Sequence, residues 1–141
     1  MILCRDLYVN VGVVLAGYAA LYLLGQGPLA GSYTAEWTSA RIWWVFAPAT
    51  LAAAMFGPPR AWWWSLAGYP VGALLGHLIG EPVHSAQLQR LAAQRLDPGF
   101  AQNWQPSHPG WWIAILVFLA ATVSGWLVQR RSAAGVTCSR V

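Results

Sequence analysis

Gly68, Gly72, Gly76 and Gly80 recur at every fourth position of one apolar run. Residues four apart share a helix face, so a helix through this run carries a strip of bare backbone. In lipid such a strip lets a second helix approach closely, as in small-xxx-small contacts. The row therefore predicts a helix built to touch a partner, inside this chain or outside it. His77 and Glu81 directly follow the last two glycines, which puts ionisable groups beside the strip.

The solvent for such a helix follows from composition. Of 141 residues, 9% are charged and 57% hydrophobic, whereas a soluble domain carries roughly 25% charged residues. The charge deficit is too large for a water-exposed surface, so the membrane is the expected solvent. At this length one compact unit spanning 1–141 is expected. The basic residues are eight arginines with no lysine. They form no basic cluster with interleaved polar residues, which argues against a nucleic-acid partner. Cys4 and Cys138 lie near opposite ends with no CxxC or Cys/His spacing, so they read as two unpaired thiols rather than a zinc or redox motif.

Four apolar runs follow in order. The first, 7–24, nearly covers the hydrocarbon core at about 1.5 Å per residue. Its flanks lack a small-residue cleavage site, so it reads as a retained helix. Gly12, Ala16 and Ala20 give it a second, weaker small-residue strip, and Asn10 suits a hydrogen bond between helices. Residues 26–40 read as a polar connection. The second run, 42–56, contains Pro48, tolerated where neighbours satisfy the freed carbonyl. Gly57-Pro58-Pro59-Arg60 marks a tight turn. The third run, 61–79, holds the glycine row and Pro70; a loop, 81–109, leads to the fourth run, 111–128. Within the loop, residues 85–96 read as a short amphipathic helix, with Leu88, Leu91, Ala92 and Leu96 on one stripe and Asp97-Pro98-Gly99 as its stop. The expected fold is an all-α integral membrane protein: a bundle of four transmembrane helices with this short helix in the outer loop between helices 3 and 4. A rival topology makes the second and third runs a re-entrant hairpin around Pro58-Pro59.

Four crossings put both termini on one side of a cell membrane. Arg5, Arg60, Arg130, Arg131 and Arg140 fall on that side, and Arg41, Arg90 and Arg95 on the other. The positive-inside bias makes the termini cytoplasmic. Trp43-Trp44, Trp62-Trp63-Trp64, Trp111-Trp112 and Trp126 stand at the proposed helix ends, as an interfacial aromatic belt requires. The alternative for these rings is a stacking platform for a pigment, quinone or lipid headgroup.

Three residues have ligand chemistry at suggestive spacing. His77, Glu81 and His84 stand at i, i+4 and i+7, one face of a continuous helix. Imidazoles and a carboxylate so arranged suit Zn²⁺ or another divalent metal. Pro82 is expected to interrupt the helix between Glu81 and His84, a fourth ligand is not local, though His108 lies in the same loop, and the pattern is not the H-E-x-x-H of zincins. Glu81 lies at the expected membrane boundary, where Arg41 is the candidate for an outer ion pair. His77 is about one turn deeper and is a candidate cofactor ligand, for haem iron or a chlorophyll-type magnesium. Ala73 precedes it by four residues, a spacing similar to that of bacterial light-harvesting polypeptides. A histidine hydrogen-bonded across helices is the simpler reading.

No catalytic residues are expected, because the chain has no G-x-S-x-G, P-loop or dinucleotide fingerprint. The leading functional expectation is a non-enzymatic accessory, assembly or stabilising subunit. Its partners would be other membrane subunits, copies of itself and the lipid bilayer, met through the glycine face at Gly68, Gly72, Gly76 and Gly80. A small oligomeric transporter or channel is the second expectation. A haem-, pigment- or metal-binding subunit using His77 is the third.

Overall fold

A computed structural model describes residues 2–27, 31–58, 60–93 and 108–138. Leu96, Arg95, the Asp97-Pro98-Gly99 stop and the side chains of Cys4 and Cys138 lie outside what it describes. All elements among the described residues are helical. They are α1 (Ile2–Gln26), α2 (Tyr33–Ala40), α3 (Ile42–Phe56), α4 (Ala61–Ala93) and α5 (Gly110–Cys138). Two segments are long and apolar enough to cross a membrane, Leu7–Gln26 and Gly110–Ser132, and Ile42–Phe56 is a shorter apolar helix.

Three expectations are corrected. The polar connection at 26–40 contains helix α2. Ser32 enters it in extended backbone, and Glu36 lies in the first turn, where a carboxylate complements the helix dipole. Two of its buried hydroxyls return to its own carbonyls, Thr38 to Thr34 at 2.8 Å and Ser39 to Glu36 at 3.0 Å. A polar sequence thereby becomes a helix with one side packed inside.

The second correction concerns Pro82. It does not interrupt the helix: α4 runs 33 residues through both Pro70 and Pro82. Each proline removes only the bond to the carbonyl four residues back, and close contact with α5 holds the axis. The separate loop helix expected at 85–96 is therefore the continuation of α4, as far as Ala93. At about 1.5 Å per residue α4 is roughly 50 Å long, more than the ~30 Å hydrocarbon core.

The third concerns the tryptophans. Trp43, Trp44, Trp63, Trp64, Trp112 and Trp126 are exposed, whereas Trp111 is half-buried and Trp62 is buried in the core.

At Pro48 the backbone adapts differently. α3 opens as a π turn, Ile42–Phe46, in which the Ala47 N–H donates to Ile42 five residues back. That wider register falls directly before the proline.

The core gathers one aromatic cluster from four helices. Val14 and Tyr18 of α1, Ile42, Phe46 and Ala47 of α3, Trp62 and Tyr69 of α4, and Phe118 of α5 are all buried. Phe46 is its hub, edge-on to Tyr69 at 4.9 Å and to Phe118 at 5.0 Å. Tyr18 meets Tyr69 at 5.7 Å and bonds the Thr50 hydroxyl at 2.7 Å.

The glycine row is occupied by α5, which forms the most extensive helix pair with α4. A Cβ on Gly68 would stand 2.7 Å from Ala121 Cβ, and one on Gly72 would stand 2.6 Å from the Ala114 carbonyl. Gly76 lies against the Gly110 carbonyl, and Gly80 against Gly110 and His108. Small residues on α5 thus answer small residues on α4. The second strip is in the opposite condition. Val14 and Tyr18 turn the other face of α1 inward, while Gly12, Ala16 and Ala20 are exposed and a Cβ on Gly12 would meet nothing within 4 Å.

Candidate functional site

Two of the chain's histidines, His77 and His108, meet one carboxylate, and the third, His84, lies beside His108. Because α4 continues through Pro82, His77, Glu81 and His84 share its face, and the turn before α5 delivers His108 to the same place. Glu81 Oε1 lies 3.6 Å from His77 Nδ1 and 3.6 Å from His108 Nε2. Both separations exceed a direct hydrogen bond and still lie in ion-pair range.

His108 is 4% exposed. The missing side chain of Gly80 makes its seat, since a Cβ there would stand 2.6 Å from His108 Cε1. The Gly110 N–H donates to His108 Nδ1 at 3.2 Å. That bond needs an unprotonated Nδ1, so the neutral ring carries its hydrogen on Nε2, facing Glu81. Burial pushes the His108 pKa below the usual histidine value; the nearby Glu81 carboxylate opposes this and His84 adds to it. The Tyr33 ring lies 4.3 Å from His108 and stacks 6.4 Å from His84, and the two imidazoles are 5.1 Å apart. His84 Nδ1, His108 Nε2 and the Thr34 hydroxyl are buried without a hydrogen-bond partner.

The metal arrangement expected at His77, Glu81 and His84 is not assembled. Among the described residues no group of three or more His, Cys, Asp or Glu side chains is disposed to hold a metal ion. The outer ion pair expected between Arg41 and Glu81 is replaced on both sides. Arg41 ends α2 and folds back over the Trp37 ring at 4.0 Å, donating to the Trp37 carbonyl at 3.3 Å. Glu81 meets the histidines that helix periodicity and the α5 turn bring to it.

The same Nδ1 of His77 also lies 2.9 Å from the Ser32 hydroxyl. Ser32, His77 and Glu81 are not a catalytic relay. Serine and carboxylate both face Nδ1, whereas a relay places them on opposite ring nitrogens. Beside this pair a cavity of about 250 Å³ opens between α1, α2 and α4. Its apolar walls include Leu21, Ala73 and Leu74, and its polar groups are Ser32, Thr38, Tyr69 and His77.

The sequence places His108 in the loop that follows the candidate ligands, and the structure brings it to Glu81; Ser32 and Tyr33 are not anticipated at this site. One local signal was present: Gly31-Ser32 followed by Glu36 is a helix-start pattern, realised here with the Gly31 N–H donating to Glu36 at 3.1 Å. Comparison with known proteins finds no family model, no curated protein and no solved structure that matches this chain.

Proposed function

We propose that this chain is a non-enzymatic integral membrane protein that serves as an accessory or assembly subunit of a larger membrane complex and docks through the outer face of α1. It crosses the cell membrane four times, with α1, α3, α4 and α5 as the spans and both termini on the cytoplasmic side. The observation that carries this reading is the open strip at Gly12, Ala16 and Ala20. Of the two small-residue faces, only this one has room for another helix to approach.

The experiment is isolation from native membrane of the parent chain and of a Gly12→Leu/Ala16→Leu pair. The parent is expected in a complex and the variant as a folded monomer. A parent that runs alone, or a variant that keeps its partners, defeats the reading.

A second reading, a small oligomeric transporter, draws on the His77–Glu81–His108 cluster at one end of the bundle. Ion or solute flux into liposomes that disappears in Glu81→Gln would favour it over the first.

A further inference from the structure

The cavity at Ser32 and His77 carries an inference beyond assembly. We propose that it binds the carbonyl-bearing head of an uncharged, lipid-soluble amphiphile, with the tail leaving into the bilayer.

Two hollows in the molecule differ in what they offer a ligand. The larger, about 380 Å³, lies near Trp126 and is lined mainly by alanines and other apolar groups. Its one hydroxyl, Thr122, is committed to the Phe118 carbonyl at 2.8 Å. Its other polar side chain is the Trp126 indole, which lies under the Arg130 guanidinium at 3.6 Å. The cavity at His77 combines apolar walls with placed polar groups, the pattern of a small-molecule site.

Its polar groups are sorted into spent and available. Tyr69 donates to Thr38 at 3.5 Å, and Thr38 donates to Thr34 at 2.8 Å. These hydroxyls hold α2 to α4. Ser32 is 2.9 Å from His77 Nδ1. The pair carries two hydrogens, one on the hydroxyl and one on the neutral ring, and their mutual bond uses one of them whichever group donates. The hydrogen left over, O–H or N–H, calls for a carbonyl or ether acceptor.

Charge and size narrow the class. No Arg, Lys, Asp or Glu lines the cavity, and an ionised head placed there would lose its hydration without a counter-charge. The head is therefore uncharged. A volume of about 250 Å³ falls below the roughly 300–1,000 Å³ of sites that enclose a whole drug-sized ligand. The cavity takes a head and leaves a tail outside. Leu24 and Leu74 line it and are also exposed, at 50% and 58%, so its opening lies on the apolar surface.

The test uses the full chain in phosphatidylcholine nanodiscs with two probes, a decyl-substituted benzoquinone and a dioctanoylglycerol, which share the chemistry and differ in source. Saturable binding of one probe to one site is expected, with a shift of the His77 side-chain nitrogen resonance. Ala73→Leu fills the cavity and should weaken binding about tenfold or more, equivalent to about 1.4 kcal/mol. Ser32→Ala should weaken it less, and it decides the matter if Ala73→Leu does not keep its helical circular dichroism. Saturation by neither probe overturns the proposal. So does equal affinity in the parent and both variants, or displacement of the probe by phosphatidylglycerol. Binding is expected to survive in the Gly12→Leu/Ala16→Leu pair, so failure here and failure of the assembly reading are distinct results.

Discussion

The two small-residue strips of this molecule obey the same spacing and have opposite fates. The row on α4 is filled along its length by α5, to the point that a single added carbon at Gly72 would meet the Ala114 carbonyl at 2.6 Å. The strip on α1 faces outward, with open space above Gly12. Spacing specifies a face; the occupant depends on what the rest of the chain presents to it. α5 presents Gly110, Ala114 and Ala121 at matching heights, so two bare backbones meet. The inner side of α1 instead presents Val14 and Tyr18 to the aromatic core, which leaves its small residues to the outside.

The strongest way to break this contrast is Gly72→Leu. Its new side chain would collide with backbone rather than a movable side-chain end, and the α4–α5 pair would have to separate. Overpacking costs typically 1–3 kcal/mol and occasionally more; a loss of about 3 kcal/mol is expected, read as lower resistance of the purified protein to denaturant. Unchanged stability would mean that α5 is not the partner of the row. Gly80→Ala comes next. The added methyl would stand 2.6 Å from His108 Cε1 and 2.8 Å from Gly110 Cα. The imidazole can yield but the backbone cannot. Overpacking of ~1–3 kcal/mol is partly offset by the ~1 kcal/mol that alanine gains over glycine in a helix, for a net loss of roughly 1–2 kcal/mol in the same assay.

Two smaller effects sharpen the comparison. Tyr18→Phe keeps the ring on the inner face of α1 but strands the buried Thr50 hydroxyl, now bonded at 2.7 Å. A cost of about 1 kcal/mol is expected, measurable as a lower unfolding midpoint. His108 supplies a pH dependence. Its pKa is lowered in the folded state, chiefly by burial, so the unfolded chain binds the proton more readily. Stability is full above the ordinary histidine value of about 6.5 and declines as pH falls from there through the lowered value. Unfolding midpoints taken across that window should fall with acid in the parent and stay flatter in His108→Gln. A parent curve with no such slope would remove His108 from the balance.

Much of this architecture was legible where one residue type dominates a face. The glycine spacing marks the contact side of α4 without reference to any other helix, and the low charge content agrees with two helices long and apolar enough to cross a membrane. The failures share a cause, the overriding of a local signal by a distant contact. Pro82 reads locally as a break, yet α4 continues because Gly76 and Gly80 are clasped by Gly110 and its neighbours. Thr38 and Ser39 read as loop, yet they pack inside, with Tyr69 of α4 donating to Thr38 at 3.5 Å. At the site, the spacing of His77 and Glu81 anticipates their 3.6 Å approach. His108 lies 27 positions beyond Glu81 in sequence, and only the reversal of α5 along α4 brings it to the carboxylate at 3.6 Å.

The smallest expected effect on folding discriminates most sharply between the strips. Gly12→Leu places four carbons where a Cβ would meet nothing within 4 Å. Substitution in the open is worth within about 0.5 kcal/mol either way, and replacing glycine in a helix adds a modest gain. The isolated chain should therefore unfold at the same denaturant concentration as the parent or slightly higher. In native membrane the same leucine would hold an approaching helix away from the strip, and the associated subunit should be lost from the purified material. Gly72→Leu gives the reverse pattern, instability first and loss of partners only as its consequence. If Gly12→Leu destabilises the isolated chain, a part of the molecule packs on that face and the strip is not open. If it leaves both folding and association untouched, the outer face of α1 meets only lipid.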